Sequence, residues 1–211
     1  DAPVASSSAI VASEQGAAVS LALSAPSDVD SIVLSIVVTG LPTIGEVQYA
    51  DGSAVGGNDT LSSAQLVGLK YLPPAEYNGS DAVGGFSYRV SDGQFSATGG
   101  TTIAVTPVND APVASSSAIT AAEGGGPVAL GLSEPSDVDS TLLTIVVSGL
   151  PALGVVQYAN GSAVGGHDTL TQAQLIGLKY LPPAVYNSND AVGSFSYSVS
   201  DGVSTVTGET T

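Results

Sequence analysis

The chain contains no cysteine, no methionine and no tryptophan, and only three of its residues are basic: Lys70, Arg89 and Lys179. Each absence excludes something. Without cysteine there is no disulfide staple and no thiolate chemistry, so a secreted domain of this kind must rely on its core or on another cross-link. Three scattered cations cannot follow a phosphate backbone or an anionic lipid surface, which excludes nucleic-acid partners and membrane-surface binding. No apolar run is long enough to insert into a bilayer. No tryptophan is available as a sugar-stacking platform. A single histidine, His167, leaves no imidazole cluster for zinc or copper.

What is present is acid, glycine and apolar side chains. Nineteen Asp and Glu set the formal net charge at −16, while 43% of the 211 residues are hydrophobic and the mean hydropathy is positive. Chains this charged are often disordered, but the apolar content here is sufficient for a core. The negative charge therefore belongs on a folded surface, where it repels itself unless cations neutralise it.

The segment Asp1–Ile10 recurs letter for letter as residues 110–119. Adding 109 to a residue number carries one copy onto the other without a gap, and 72 of the 102 aligned positions are identical. A period of this size is a domain, not a solenoid turn. The sequence divides into repeat 1, residues 1–108, and repeat 2, residues 109–211. Repeat 2 stops at the match to Thr102 and lacks counterparts of Ile103–Val108, a strand-like run, so its C-terminal strand is expected to be truncated. Further copies are expected on either side in a longer parent protein.

Within each copy, apolar residues alternate with small or polar ones: Val19, Leu21, Leu23; Leu34, Ile36, Val38; Phe86, Tyr88, Val90; and Ile103, Val105. Together with Val47–Tyr49 and Leu69–Leu72, these period-two stretches separated by Gly, Pro, Asn and Asp predict about seven strands per ~100 residues. Only Asp59–Leu66 and its counterpart 168–175 read as a helical turn or two. The fold class is all-β: two tandem immunoglobulin-like (cadherin-like) β-sandwiches joined by a short linker.

The acidic residues fall largely in the turns. Glu14 precedes the second strand, Asp28-Val29-Asp30 follows it, Asp92-Gly93 ends the Phe86–Val90 strand, and Asn109-Asp110 occupies the joint. The second copy repeats them as Glu123, Asp137-Val138-Asp139 and Asp201-Gly202. Asp in a turn has a local explanation, since its side chain caps the turn and tolerates left-handed geometry. Asp-x-Asp also suits a hard cation such as Ca²⁺, which takes six to eight oxygens, because residues two apart can aim both carboxylates at one point. His167 stands where the first copy has Asn58 and reads as a loop substitution.

At these residues the chain resembles the cadherin-like repeats of bacterial RTX adhesins, the giant biofilm-type surface proteins. The resembling elements are Thr106-Pro-Val-Asn-Asp-Ala-Pro112, Ser27-Asp-Val-Asp30, Phe86-Ser-Tyr-Arg-Val-Ser-Asp-Gly93 and the stretch Asp59–Asp81, and they cover essentially the whole chain twice. The resemblance implies Ca²⁺ at the joint between successive domains. Its ligands would be Asn109 and Asp110 from the linker, Asp137 with Asp139, and Asp201, with Glu14 and Asp81 contributed by the preceding domain. Asp1, Asp28, Asp30 and Asp92 would form the equivalent half-site of the first repeat. The loop motif that cadherins carry near residue 76 is absent, and Glu76 becomes Val185 in the second copy.

The resemblance further implies an extracellular, non-catalytic extender on a bacterial cell surface, made rigid by calcium and projecting a distal binding domain. Its partners would be neighbouring repeats of the same chain, and the molecule would be a monomer. The alternative is a ligand-binding or homophilic adhesion module. For that role Tyr77 and Tyr186 are the best candidates for exposed aromatics. A self-catalysed Lys–Asn cross-link, which some bacterial surface sandwiches form, would need Lys70 or Lys179 buried beside Asn and a carboxyl, whereas snorkelling at a strand edge is expected.

Overall fold

The computed structural model describes residues 1–187 and 189–211, and the chain separates into two compact units, residues 1–108 and 109–211. In unit 1 the strands are β1 (Ser7–Ser13), β2 (Val19–Ser20), β3 (Ser35–Gly40), β4 (Glu46–Gln48) and β5 (Thr60–Leu61). After the short helix α1 (Ser63–Gly68) come β6 (Lys70–Leu72), β7 (Gly85–Ser91) and β8 (Ser96–Thr106). One sheet runs β1-β8-β7-β3-β5 and the other β2-β6-β4. All pairings are antiparallel except β1 with β8, which run parallel from Ser7↔Gly100 to Ser13↔Thr106.

Alternation makes this sandwich. Ile36, Val38, Phe86, Tyr88 and Val90 point inward and are buried, while their neighbours Val37, Ser87 and Arg89 lie at or near the surface. Leu21, Leu66, Leu69 and Tyr71 close the core from the other layer. In two buried tyrosines a hydrogen bond offsets the desolvation of the hydroxyl: Tyr71 donates to the Ile44 carbonyl at 2.8 Å, and Tyr88 to the Ser6 carbonyl at 3.0 Å. Gly99 is required beside this second bond, since a Cβ there would collide with the Ser6 carbonyl and the Tyr88 ring.

Unit 2 repeats the plan with β9 (Val128–Ala129), β10 (Thr144–Gly149), β11 (Val155–Gln157), β12 (Thr169–Leu170), α2 (Gln172–Ile176), β13 (Lys179–Leu181), β14 (Phe195–Ser200) and β15 (Thr205–Thr210). Its sheets are β12-β10-β14-β15 and β11-β13-β9. Both helices are held by a reciprocal capping box, Ser62 with Gln65 and Thr171 with Gln174.

Several expectations are corrected here. The predicted strand over Val19–Leu23 shrinks to two residues because Ala22 takes φ 55°, a left-handed value that breaks the ladder. Ser7–Ser13, read only as part of the repeat, is a seven-residue strand. Thr60–Leu61, read as helical, pairs with β3 before the helix begins at Ser63. Lys70 and Lys179 are exposed, as expected of snorkelling, but they sit on the central strands of their three-stranded sheets and not at an edge. Tyr77 is buried at 8% exposure, with its hydroxyl on the Asp81 carbonyl at 2.8 Å, so it presents no aromatic surface.

Candidate functional site

In unit 2 the acidic turns meet at one end of the sandwich. The Asp137 carboxylate folds back on its own loop, with Oδ1 accepting the amides of Asp139 at 2.8 Å and Ser140 at 2.7 Å. Asp201 does the same after β14, accepting Val203 at 2.7 Å and Ser204 at 2.6 Å. Two residues of the leading segment tie these loops together. The Asp110 amide donates to Asp139 Oδ2 at 2.6 Å, and the Asn109 side-chain amide donates to Asp201 Oδ2 at 2.8 Å. The same Asn109 nitrogen reaches the Asp110 carbonyl at 2.7 Å. The Asn109 amide and the Ser204 N–H hold the Asp201 carboxyl below the usual carboxylate range.

Unit 1 carries the same construction. Asp28 Oδ1 accepts Asp30 at 2.9 Å and Ser31 at 2.8 Å, while Asp92 Oδ1 accepts Gln94 at 2.7 Å and Phe95 at 2.6 Å. The Asp1 ammonium occupies the place of the Asp110 amide, 2.7 Å from Asp30 Oδ2. That ammonium is the largest influence lowering the Asp30 carboxyl, and the pair raises the amine in return. Lys70, Arg89 and Lys179 make no ion pair with any carboxylate among the described residues.

The structure therefore brings Asn109, Asp110, Asp137, Asp139 and Asp201 together in one unit, and Asp1, Asp28 and Asp30 in the other, with Asp92 built as Asp201 is. Glu14 and Asp81 belong to unit 1, the preceding domain from which they are expected to contribute. Glu14 is buried at 2% exposure, its Oε2 accepting the Val108 amide at 2.8 Å, and its Oε1 is buried without a hydrogen bond. The Asp81 side chain is exposed. Sequence reasoning missed one further acidic pair: Asp59 and Asp168 accept Tyr49 and Tyr158 at 2.8 and 2.7 Å, and the Gly56 and Gly165 amides at 2.8 Å each. The only cue was the recurrence of Tyr and Asp ten residues apart in both copies. His167 is exposed and takes φ 79° where Asn58 takes φ 81°, so the site is a left-handed turn position that Asn and His both tolerate.

Among the described residues no three His, Cys, Asp or Glu side chains are gathered into a ready-made metal shell. The chemistry of the set nevertheless fits a hard cation. It consists of oxygen donors that form no ion pair with a basic side chain, and backbone N–H groups hold Oδ1 of Asp28 and of Asp137 while Oδ2 is left to the interior. Asp137 Oδ2 and Asp28 Oδ2 are buried and have no hydrogen-bond partner, a costly condition for a carboxylate oxygen. Both copies repeat it.

Comparison with known proteins gives the following. Similarity to solved structures extends over nearly the whole chain at low identity. An endo-fucoidan hydrolase of glycoside hydrolase family 107 matches at 21% identity and TM-score 0.36, over 99% of this chain and 28% of its own. Drosophila N-cadherin EC1-4 matches at 16% and 0.41, over 100% and 48%, and a protocadherin gammaB4 extracellular domain at 14% and 0.37, over 99% and 34%. The chain thus spans less than half the length of each of these proteins. No curated protein matches. A bacterial Ig domain model matches residues 1–106 and again residues 109–211. The chain belongs to the bacterial Ig domain family, of which it carries two copies in tandem.

Proposed function

We propose that this tandem is a non-catalytic extender of a bacterial surface adhesin of the RTX kind, and that Ca²⁺ stiffens it by binding at the acidic end of each unit. The observation that carries the reading is the recurrence of an oriented Asp-x-Asp whose outer oxygen, Asp137 Oδ2 or Asp28 Oδ2, is buried without a hydrogen-bond partner. Asp137, Asp139, Asp201 and the linker residues Asn109 and Asp110 would hold the ion in unit 2. Its chemistry would be charge neutralisation and cross-linking through oxygens. These residues fasten the linker to the Asp137 and Asp201 loops, so a cation there would restrict residues 106–113, which Pro107 and Pro112 already restrict. The extracellular setting accords with the family and with calcium concentrations in the range such modules use, about 0.1–1 mM. The absence of cysteine, an exposed lone histidine and exposed lysines support a role without catalysis.

A ligand bound only by the native state raises stability by mass action. Calcium should raise the thermal transition of the chain and slow limited proteolysis within residues 106–113. Asp137→Asn should remove the effect on unit 2 and leave the response of unit 1. If chelation leaves both melting and cleavage unchanged, the calcium reading is wrong. A second reading, homophilic association, draws on Val29, Ile32 and Val33, which are 89%, 102% and 76% exposed beside the Asp28 loop. Sedimentation of the chain at rising concentration tests it.

A further inference from the structure

An asparagine followed by glycine can cyclise without an enzyme, because glycine has no side chain to keep its nitrogen from the neighbouring amide carbon. Five Asx-Gly steps occur in the chain: Asp51-Gly52, Asn78-Gly79, Asp92-Gly93, Asn160-Gly161 and Asp201-Gly202. Only Asn78 and Asn160 carry an amide that can leave as ammonia. Both sit in exposed turns of the same make. Asn78 Oδ1 accepts the Ser80 amide at 3.0 Å and the Ser80 hydroxyl at 2.6 Å, and Asn160 Oδ1 accepts those of Ser162 at 3.0 and 2.7 Å. Two donors on one carbonyl oxygen draw charge from its carbon and stabilise the oxyanion that attack creates.

The two asparagines part at the attacking nitrogen. Gly161 N–H donates to the Tyr158 carbonyl at 3.0 Å, in a turn closed again by the Tyr158 amide on the Ser162 carbonyl at 2.9 Å. The glycines after the aspartates are held too. Gly52 donates to the Tyr49 carbonyl at 3.0 Å, and Gly93 and Gly202 donate to the Ser91 and Ser200 hydroxyls at 3.1 Å each. Of the five, only the Gly79 N–H donates to no group among the described residues, and Gly79 is exposed. It takes φ 79°, and a Cβ there would stand 3.2 Å from Pro107 Cγ, so the loop is shaped around glycine. The corresponding step of the second copy reads Asn187-Ser188. An activated amide and a free glycine nitrogen therefore coincide at Asn78-Gly79.

We propose that Asn78-Gly79 is a self-modification site, at which Asn78 is converted through a succinimide to aspartyl and isoaspartyl forms. The Gly79 nitrogen bonds to Asn78 Cγ, the Cγ–Nδ2 bond breaks, and the Gly79 proton leaves with Nδ2 as ammonia. Water then opens the ring. Opening at Cγ restores a normal main chain with a carboxylate at position 78. Opening at the main-chain carbonyl leaves an isoaspartyl link, with one more methylene in the backbone. Either product adds a carboxylate to an exposed loop that already holds Glu76 and Asp81.

The test incubates the full chain at mildly alkaline pH, both folded and in denaturant, and follows the two asparagines by peptide mapping with mass spectrometry. In denaturant neither glycine nitrogen is held, so the two conversion rates there give a reference ratio. Folding should raise the ratio of Asn78 to Asn160 conversion by about two- to tenfold, the rate factor that corresponds to breaking one hydrogen bond. The folded chain should also gain a more acidic form on ion exchange, and Asn78→Gln should remove most of it. The proposal is overturned if folding leaves the ratio unchanged or lowers it. It is also overturned if position 78 stays an amide in the folded chain while both asparagines react in denaturant.

Discussion

Units 1 and 2 have nearly the same core and different margins. Leu21 and Leu130, Ile36 and Ile145, Tyr88 and Tyr197 are buried alike, and the stacked aromatic pairs Phe86–Tyr88 and Phe195–Tyr197 both have centroids 6.0 Å apart. At the β1–β8 seam the resemblance ends. The comparison teaches that the core residues specify the sandwich, since it persists through changes at exposed positions such as Val11 to Thr120 and Ser20 to Ala129. Burying an Ile or Val side chain contributes about 1.5–3 kcal/mol, so Ile103, at 6% exposure, and the partly buried Val105 supply a substantial share of the stability of unit 1.

The most direct way to break this contrast is Ile103→Ala. Truncating a buried Ile should cost unit 1 about 2–5 kcal/mol and lower its melting transition in calorimetry. A smaller effect comes from the Glu pair. Glu14→Ala removes a buried carboxylate that accepts the Val108 amide and should cost about 1–3 kcal/mol, whereas Glu123→Ala, at an exposed site, should stay within about 0.5 kcal/mol. Denaturant melts of the two variants compare them directly.

Backbone geometry provides a third comparison that runs the opposite way. Unit 1 holds Gln15 and Ala22 at φ 58° and 55°, where unit 2 has Gly124 and Gly131 at 63° and 70°. A side chain is disfavoured at such angles by about 1 kcal/mol or more. Gly131→Ala should therefore destabilise unit 2 by about 1 kcal/mol, and Ala22→Gly should leave unit 1 unchanged or slightly more stable, since the greater chain freedom of glycine offsets part of the relief.

The smallest effect should be common to both units. Asp59 and Asp168 titrate below the ordinary range, held first by the Gly56 and Gly165 amides and then by the Tyr49 and Tyr158 hydroxyls. A carboxyl depressed in the folded state contributes stability above its unfolded pKa of about 3.9, and that contribution is lost as pH falls through the folded value. Asp59→Asn and Asp168→Asn should each flatten the acid limb below about pH 4 by a similar amount. Unequal flattening would show that these two sites, alike in geometry, are not alike in energy.

Much of this was legible in the letters. Strands β3, β7 and β8 announce themselves because one face is buried and the other wet, so apolar residues fall at every second position. The tandem is visible by inspection, and the acidic turns are visible because Asp-x-Asp and Asp-Gly mark reversals of the chain. Strand β1 was not legible, since Ser7-Ser-Ala-Ile-Val-Ala-Ser13 is rich in small residues and gains its strand character from pairing with a segment 93 residues away. The burial of Glu14 was illegible for the same reason, since its amide bonds the Thr106 carbonyl and its carboxylate the Val108 amide, contacts that local pattern does not encode. That Asp137 and Asp201 share one end of unit 2 follows from the sandwich itself, whereas the free buried oxygen on Asp137 could be found only in the coordinates.

The parallel pairing of β1 with β8 also has a mechanical meaning. Strands that run the same way emerge from opposite ends of their ladder, so tension applied at Ser7 and Thr106 loads all their rungs in shear at once, whereas an antiparallel hairpin would be peeled open one bond at a time. Unit 1 is thus built to resist being stretched along the chain.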